Sequence, residues 1–385
     1  MELKGITWDH ARGYDPLLVV SEAFQKEHPD VQVSWKKRSL KDFGDYPVSR
    51  LAQDFDLIMI DHPFMAEALQ EKLLVVLNEH LTPGYLQQLE GDEVGKSLES
   101  YCVNGAYQGL PVDAATQVAA ANMEIFRRKG ATPPETFAEL MQLHERLGPG
   151  AIGVAMAPTD IFSTYFGLVA QLSGKDYFDM QRGIDPQKGA LAAARLYQLK
   201  EISAPETFEM NPIHILDEMS NHEKFAYTPY VYGYTNYSRE GFRPHLLEFW
   251  DAPLVDRDAA VSTQLGGVGI AISAAIAPEK LETAVRYAEF LASPAIQKGI
   301  YTAANGQPAT WSAWMDEENN RLTHHFFKNT IRTIDTAFLR PKVARWNTFQ
   351  EAAGEKLHQQ VAENCSCEEI VQTLNGLYRE ICMES

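Results

Sequence analysis

Basic residues are scarce in this chain: 34 Lys and Arg stand against 52 Asp and Glu, a formal net charge of −18. Nucleic acids and anionic membranes demand a basic surface, so neither is expected as a partner, although a local pocket can still hold an acidic ligand. Long apolar runs are missing as well. The nearest, residues 259–276, is broken by Gln264 and by several glycines and serines, and falls short of the roughly 20 apolar residues of a membrane span. The four cysteines, Cys102, Cys365, Cys367 and Cys382, are too few for a disulfide scaffold. Cys365-Ser-Cys367 can be read as half of a redox or metal site. Ser366 and Glu369 give the blander reading, a capping box that starts a helix between the two thiols. Histidines are present but not clustered: there is no H-E-x-x-H, and adjacent His324 and His325 would point about 100° apart on a helix. Gly266-Gly-Val-Gly269 lacks the lysine of a phosphate loop and the full dinucleotide fingerprint, and no G-x-S-x-G elbow occurs. No metal, no cofactor and no enzyme activity are therefore expected. The first eight residues carry neither the basic nor the apolar region of a secretory signal.

What the chain does have is core-forming material, 45% hydrophobic and 10% aromatic residues over 385 positions, enough for two or three domains. Residues 4–8 read as a strand and residues 9–14 as a polar loop. Asp15 with Pro16 reads as the cap and first position of a helix carrying Leu17, Val20 and Phe24 on one face. Residues 31–35 alternate like a second strand, so the opening is a β-loop-α-β unit and implies a parallel sheet. The continuous apolar run 55–60 fits a strand buried on both faces, with Asp61, His62 and Pro63 at its carboxyl end. Further strands are expected at 117–121, 151–157 and 265–273, and helices at 162–171, 190–199, 279–291 and 367–381.

The most informative stretch is residues 105–140. Gly105, Gly109 and Pro111 punctuate a short extended crossing; Pro133 and Pro134 block continuation of the next helix; Thr136 and Glu139 form a capping box that predicts a helix from Phe137. This order resembles the hinge region of the family 1 extracellular solute-binding proteins, the maltose-binding-protein-like class. Residues 6–17 with 24–29, residues 54–60 with 66–74, and residues 266–273, 284–294 and 306–308 resemble other segments of the same family, in order along nearly the whole chain. The departures are Phe55-Asp56 in place of Pro-Asp, Lys72 in place of a glycine, and no one-for-one match to the residues lining maltodextrin grooves.

The resemblance implies an α/β fold of two lobes, the type II periplasmic-binding-protein architecture, joined by three hinge crossings. Lobe one would span 1–111 and 266–308, and lobe two 112–265 and 309–385. It further implies a monomeric receptor, periplasmic or at the cell surface, that closes on a small molecule and passes it to the membrane permease of an ABC importer; without a signal in this sequence, a cytoplasmic place stays open. The expected ligand is a mono- or disaccharide. An anionic or amine metabolite, held by Arg12 and Arg345 or by Asp9 and Asp61, is the alternative on the same fold. A glycoside hydrolase with Asp61 and Asp113 as its paired carboxylates is the enzymatic alternative.

Ligands of open α/β sheets sit at the carboxyl ends of the strands. That rule selects Trp8, Asp9, His10 and Arg12 after the first strand, and Asp61 and His62 after the third. Asp113 lies in the hinge. Tyr230 and Tyr232 are chosen from the aromatic tract 225–237, because tyrosine faces stack on sugar rings while their hydroxyls hydrogen-bond. Gly266 and Gly267 allow close backbone approach, and Arg345 and Trp346 follow Arg340-Pro341 at a second candidate helix start. Each has a structural alternative: a solvated loop, a helix cap, a hinge strand or core packing.

Overall fold

The computed structural model describes residues 1–39 and 47–383. Its first lobe opens with β1 (Glu2–Trp8), a helix (Ala11–Glu27) and β2 (Gln32–Arg38), followed by β3 (Leu57–Ile60). β1 lies between β2 and β3 and is parallel to both, as the opening pattern requires. After a two-residue hairpin of β4 (Cys102–Val103) and β5 (Ala106–Tyr107) comes β6 (Leu110–Ala121), buried at every position. The second lobe adds β7 (Tyr227–Tyr232) and β8 (Glu248–Trp250), and β9 (Leu265–Ile272) returns to the first.

The sheet order is β2-β1-β3-β9-β6-β7, with β8 also on β6. β6 serves both lobes. Its first half, through Thr116, pairs antiparallel with β9; its second half, Gln117–Ala121, pairs with β7 and β8. The crossing read from the sequence as a short extended segment leads into one long strand, whose partners change between Thr116 and Gln117. The third crossing lies against it. Ala114 N donates to Gln307 O (3.3 Å), and Gln307 Nε2 donates back to Ala114 O (2.8 Å).

Hydrophobic clusters mark the two lobes. Leu17, Val20, Phe24, Tyr287 and Leu291 pack on one face of the first sheet, and Ile6, Ile58 and Ala271 on the other. In the second lobe, Phe162, Phe166, Trp346 and Phe349 fill one cluster, and Val118, Phe249 and Phe326 another. The helices Pro158–Ser173 and Trp346–Ala362 cross tightly enough that a Cβ at Gly354 would lie 2.6 Å from Pro158 O.

Local signals account for many element ends. Thr136 Oγ1 accepts from Glu139 N, and the helix Phe137–Leu147 begins where the capping box predicts. Ser366 likewise accepts from Glu369 N and starts the helix Cys367–Tyr378; Cys365 and Cys367 are both free thiols. Two expectations fail. Residues 151–157 form only isolated bridges, Ile152 with Ser203 and with Tyr227. Residues 9–14 are not a loop, because the helix already begins at Ala11, with His10 Nδ1 accepting from Arg12 N (3.0 Å). Pro16 therefore sits inside the helix, and Asp15 caps nothing but accepts from Asn305 Nδ2 (3.0 Å). Gly13 makes this early start feasible, since a Cβ there would lie 2.2 Å from the Trp8 ring.

Candidate ligand cleft

The early helix start sends Arg12 into the junction between the lobes. Its guanidinium forms a bidentate pair with Asp113 of β6, Nε lying 2.7 Å from Oδ2 and Nη2 meeting Oδ1. Nη1 donates to Gly233 O of the second lobe (2.7 Å), and the guanidinium carbon lies 4.7 Å from the centre of the Tyr234 ring. Both partners of the ion pair are buried, Arg12 at 4% and Asp113 at 2% exposure. One side chain thereby ties the first lobe to the hinge and to the second lobe, with fork geometry only arginine offers.

A second pair crosses the cleft further along. Arg340 Nη2 lies 2.7 Å from both oxygens of Asp61. Asp61 also caps the turn His62–Phe64, accepting from His62 N at 2.8 Å. His62 Nδ1 is 3.2 Å from Asp61 Oδ1, and its Nε2 is 3.4 Å from Arg340 Nε. This fits a neutral ring that donates at Nδ1 and accepts at Nε2. Burial and the neighbouring Arg340 push the His62 pKa down to about 4. Burial alone would raise the Asp61 carboxyl, but the Arg340 charge and the His62 bond hold it well below the usual carboxylate range. Lys342 adds a third link, donating to Glu99 O and Cys102 O, both at 2.7 Å.

Between the pairs lies a band of hydroxyl and amide groups. Gln264 Nε2 donates to the Tyr232 hydroxyl (2.9 Å) and Ser163 Oγ (3.3 Å). Ser163 gives its own proton to Thr159 O, which fixes the Gln264 amide with its nitrogen toward Ser163 and leaves Gln264 Oε1 buried without a partner. Gln117 Nε2 donates to Thr164 Oγ1 (3.0 Å), and Gln117 Oε1 is likewise unpartnered. Asp160 lies one turn before Ser163 and Thr164 on the same helix face.

The sequence-selected residues divide by position. Arg12, Asp61, His62, Asp113 and Tyr232 lie at or near the junction between the lobes. His10 packs edge-on to Tyr234, ring centres 4.8 Å apart, and burial followed by the Arg12 charge lowers its pKa to about 4. Asp9 is peripheral, paired with Lys37 at 2.7 Å where both side chains are exposed. Trp8 is 3% exposed and lies against Gly13. Arg345 precedes the helix Trp346–Ala362 with φ 62°, and its charge acts on Glu67 of the first lobe. Gly266 lies against the Tyr232 ring, and Gly267, at φ 124°, approaches β6 so closely that a Cβ would lie 2.2 Å from Asp113 O.

Tyr230 and Trp346 stand elsewhere. Tyr230 is 2% exposed and donates to Pro253 O (2.6 Å) within the core of the second lobe. Trp346 is wholly buried against Phe166, Phe178, Phe349 and Tyr378. Neither ring is available for stacking on a ligand. Arg340, Tyr234, Gln264 and Asp160 are the residues that sequence reasoning missed. Tyr234 lay in the aromatic tract, but residue type does not separate a core tyrosine from one at the junction.

The chain belongs to the bacterial extracellular solute-binding proteins: the family model matches residues 20–324. Known structures share the fold over almost the full chain. The maltose-bound MalE3 of T. maritima superposes with a TM-score of 0.82 at 15% identity, covering 98% of this chain and 99% of that one. A solute-binding protein of Agrobacterium radiobacter K84 in complex with ribitol gives 0.79 at 17% identity, with 99% and 98% coverage. UgpB of Mycobacterium tuberculosis in complex with glycerophosphocholine gives 0.79 at 14%, with 99% and 98%. No curated protein sequence matches the chain.

Proposed function

We propose that the protein is the receptor of an ABC importer that binds a small polar solute, of the size of a mono- or disaccharide, between its lobes. The observation that carries this reading is the Arg340–Asp61 pair between the lobes and the Arg12–Asp113 pair at the hinge, beside a band of hydroxyl and amide groups. A solute that satisfies those groups from both sides binds the closed form better than the open one and shifts the population toward it. The permease reads the closed pair of lobes, and the family description supports a periplasmic or cell-surface place.

The lobes are taken as 1–111 with 266–308 and 112–265 with 309–385. The core clusters agree with these divisions to within a residue or two: Leu110, Val268 and Tyr301 pack in the first lobe's cluster and Ala114, Leu265 and Ala309 in the second's, while Val112 still packs with the first. Solutes differ widely among the similar structures, from maltose and ribitol to glycerophosphocholine, so the ligand is argued from this cleft. An anionic solute is disfavoured because Arg12 and Arg340 are already engaged by carboxylates. Those same pairings hold Asp61 and Asp113 in place and argue against their serving as the acid and base of a glycosidase.

Thermal unfolding in the presence of a panel of sugars, polyols, organic acids and amines tests the reading. A cognate solute at 100 times its Kd adds about 2.7 kcal/mol. Stabilisation by acids alone contradicts the proposed ligand class.

A further inference from the structure

Three carboxylates face the junction, and they are treated differently. Asp61 is held by Arg340 and Asp113 by Arg12. Asp160 is 8% exposed, yet no hydrogen bond or ion pair reaches its carboxylate among the described residues. It sits in the first turn of a 16-residue helix, on the face that carries Ser163 and Thr164 toward Gln264 and Gln117. Its charge reaches Tyr234, whose ring lies under Arg12. Arg12 itself is spent on Asp113 and Gly233 O, and Arg340 on Asp61.

A desolvated carboxylate without a partner is costly, and natural folds keep one mainly where something else completes it. The helix N-terminus supplies only a fraction of a positive charge. Solute hydroxyls would donate to the carboxylate but leave its charge uncompensated, whereas an ammonium group does both. The nearby unpartnered atoms, Gln117 Oε1 and Gln264 Oε1, are acceptors as well, so the polar lining asks for donors.

We propose that Asp160 anchors a protonated amine on the solute, making the ligand an amine-bearing sugar or polyol; this rests on the receptor reading above. Geometry sets the anchor, and electrostatics agree with it: burial alone pushes the Asp160 pKa up to about 7. An arriving cation restores the ionised form and gains a counter-charge in a site of low dielectric.

The test uses the full chain and pairs of probes that differ by one group: glucosamine against glucose, galactosamine against galactose, and glucamine against sorbitol, by calorimetric titration at pH 7. The amine of at least one pair binds about tenfold or more tighter than its neutral counterpart, and Asp160→Asn removes most of that gap. Equal binding of the neutral counterpart, or a gap that survives in Asp160→Asn, overturns the amine assignment and leaves the receptor reading intact. No binding by any probe, amine or neutral, overturns both. A ligand-free measurement stands beside this. Because the folded carboxyl holds its proton to higher pH than the unfolded one, the penalty is present above about pH 7 and absent below about pH 4. Asp160→Asn therefore raises the unfolding midpoint at pH 8 and leaves it nearly unchanged at pH 4; a lowered midpoint at pH 8 shows a carboxylate already satisfied by the fold and overturns the proposal.

Discussion

Arg340 and Asp61 meet across the cleft through a single nitrogen, Nη2 lying 2.7 Å from both carboxylate oxygens. Arg340 comes from the second lobe, after the last crossing, and Asp61 from the end of β3 in the first. The Asp61 side chain keeps 23% exposure, so the pair is reached by solvent on one side. Arg340→Ala leaves the carboxylate partly buried with only His62 beside it. The expected loss is about 1–3 kcal/mol by chemical denaturation, below the range for fully buried pairs. A double-mutant cycle with Asp61→Asn checks the coupling, because the double variant should lose less than the two single losses added together.

The Arg12–Asp113 pair is more enclosed and should be more sensitive. Arg12→Ala strands Asp113 in the hinge and removes the bond to Gly233 O and the contact with Tyr234. A loss of about 3–5 kcal/mol is expected from denaturant midpoints. A loss under 1 kcal/mol would mean that Asp113 is satisfied by other groups.

Gly267 is required by backbone geometry. At φ 124°, with a virtual Cβ 2.2 Å from Asp113 O, any side chain strains the pairing of β9 with β6. Gly267→Ala is expected to lower stability by about 2 kcal/mol or more. Gly105→Ala is a control for positive φ alone, since it too has a positive φ (82°) but nothing within 4 Å of its virtual Cβ; the difference between the two variants isolates the clash at the hinge.

Acidification should lower the stability of the fold. His10 and His62 both have folded pKa values lowered to about 4, while an unfolded histidine titrates near 6.5. The unfolded chain thus binds more protons between about pH 6.5 and pH 4, and stability falls as pH drops through that window. His62→Gln, measured from pH 7 to pH 4, should show a shallower decline than the wild type. Asp61 contributes in the same direction at lower pH. Its folded carboxyl lies below the unfolded one, so its stabilisation is present above about pH 4 and is lost as pH falls further.

Much of the framework was legible because local chemistry writes it. Thr136 and Ser366 start helices by bonds confined to four residues, and the apolar run before Asp61 identifies a strand with its polar end at a cleft. Long-range partners were not legible. Arg340 stands 279 residues from Asp61, and nothing in the local sequence of either names the other. His10 escaped because histidine is an unusual cap, and Asp15-Pro16 offered a more ordinary helix start a few residues later. Tyr230 and Trp346 show the converse: an aromatic ring suits a sugar and a core equally well, and only packing decides. Asp160 looked like any acid in a first helical turn; its burial without a side-chain partner is a property of the folded second lobe that local sequence does not carry.

Closure of the lobes on a solute is the expected mechanism of capture. It is tested most directly by the distance between spin labels at exposed Leu18, in the first lobe, and exposed Leu191, in the second, with and without the probe that stabilises the protein most. Solute addition should narrow the distance distribution and shift it to the closed value, and Arg340→Ala should broaden it in the absence of solute. A distribution that stays the same with saturating solute would contradict closure as the mechanism of capture.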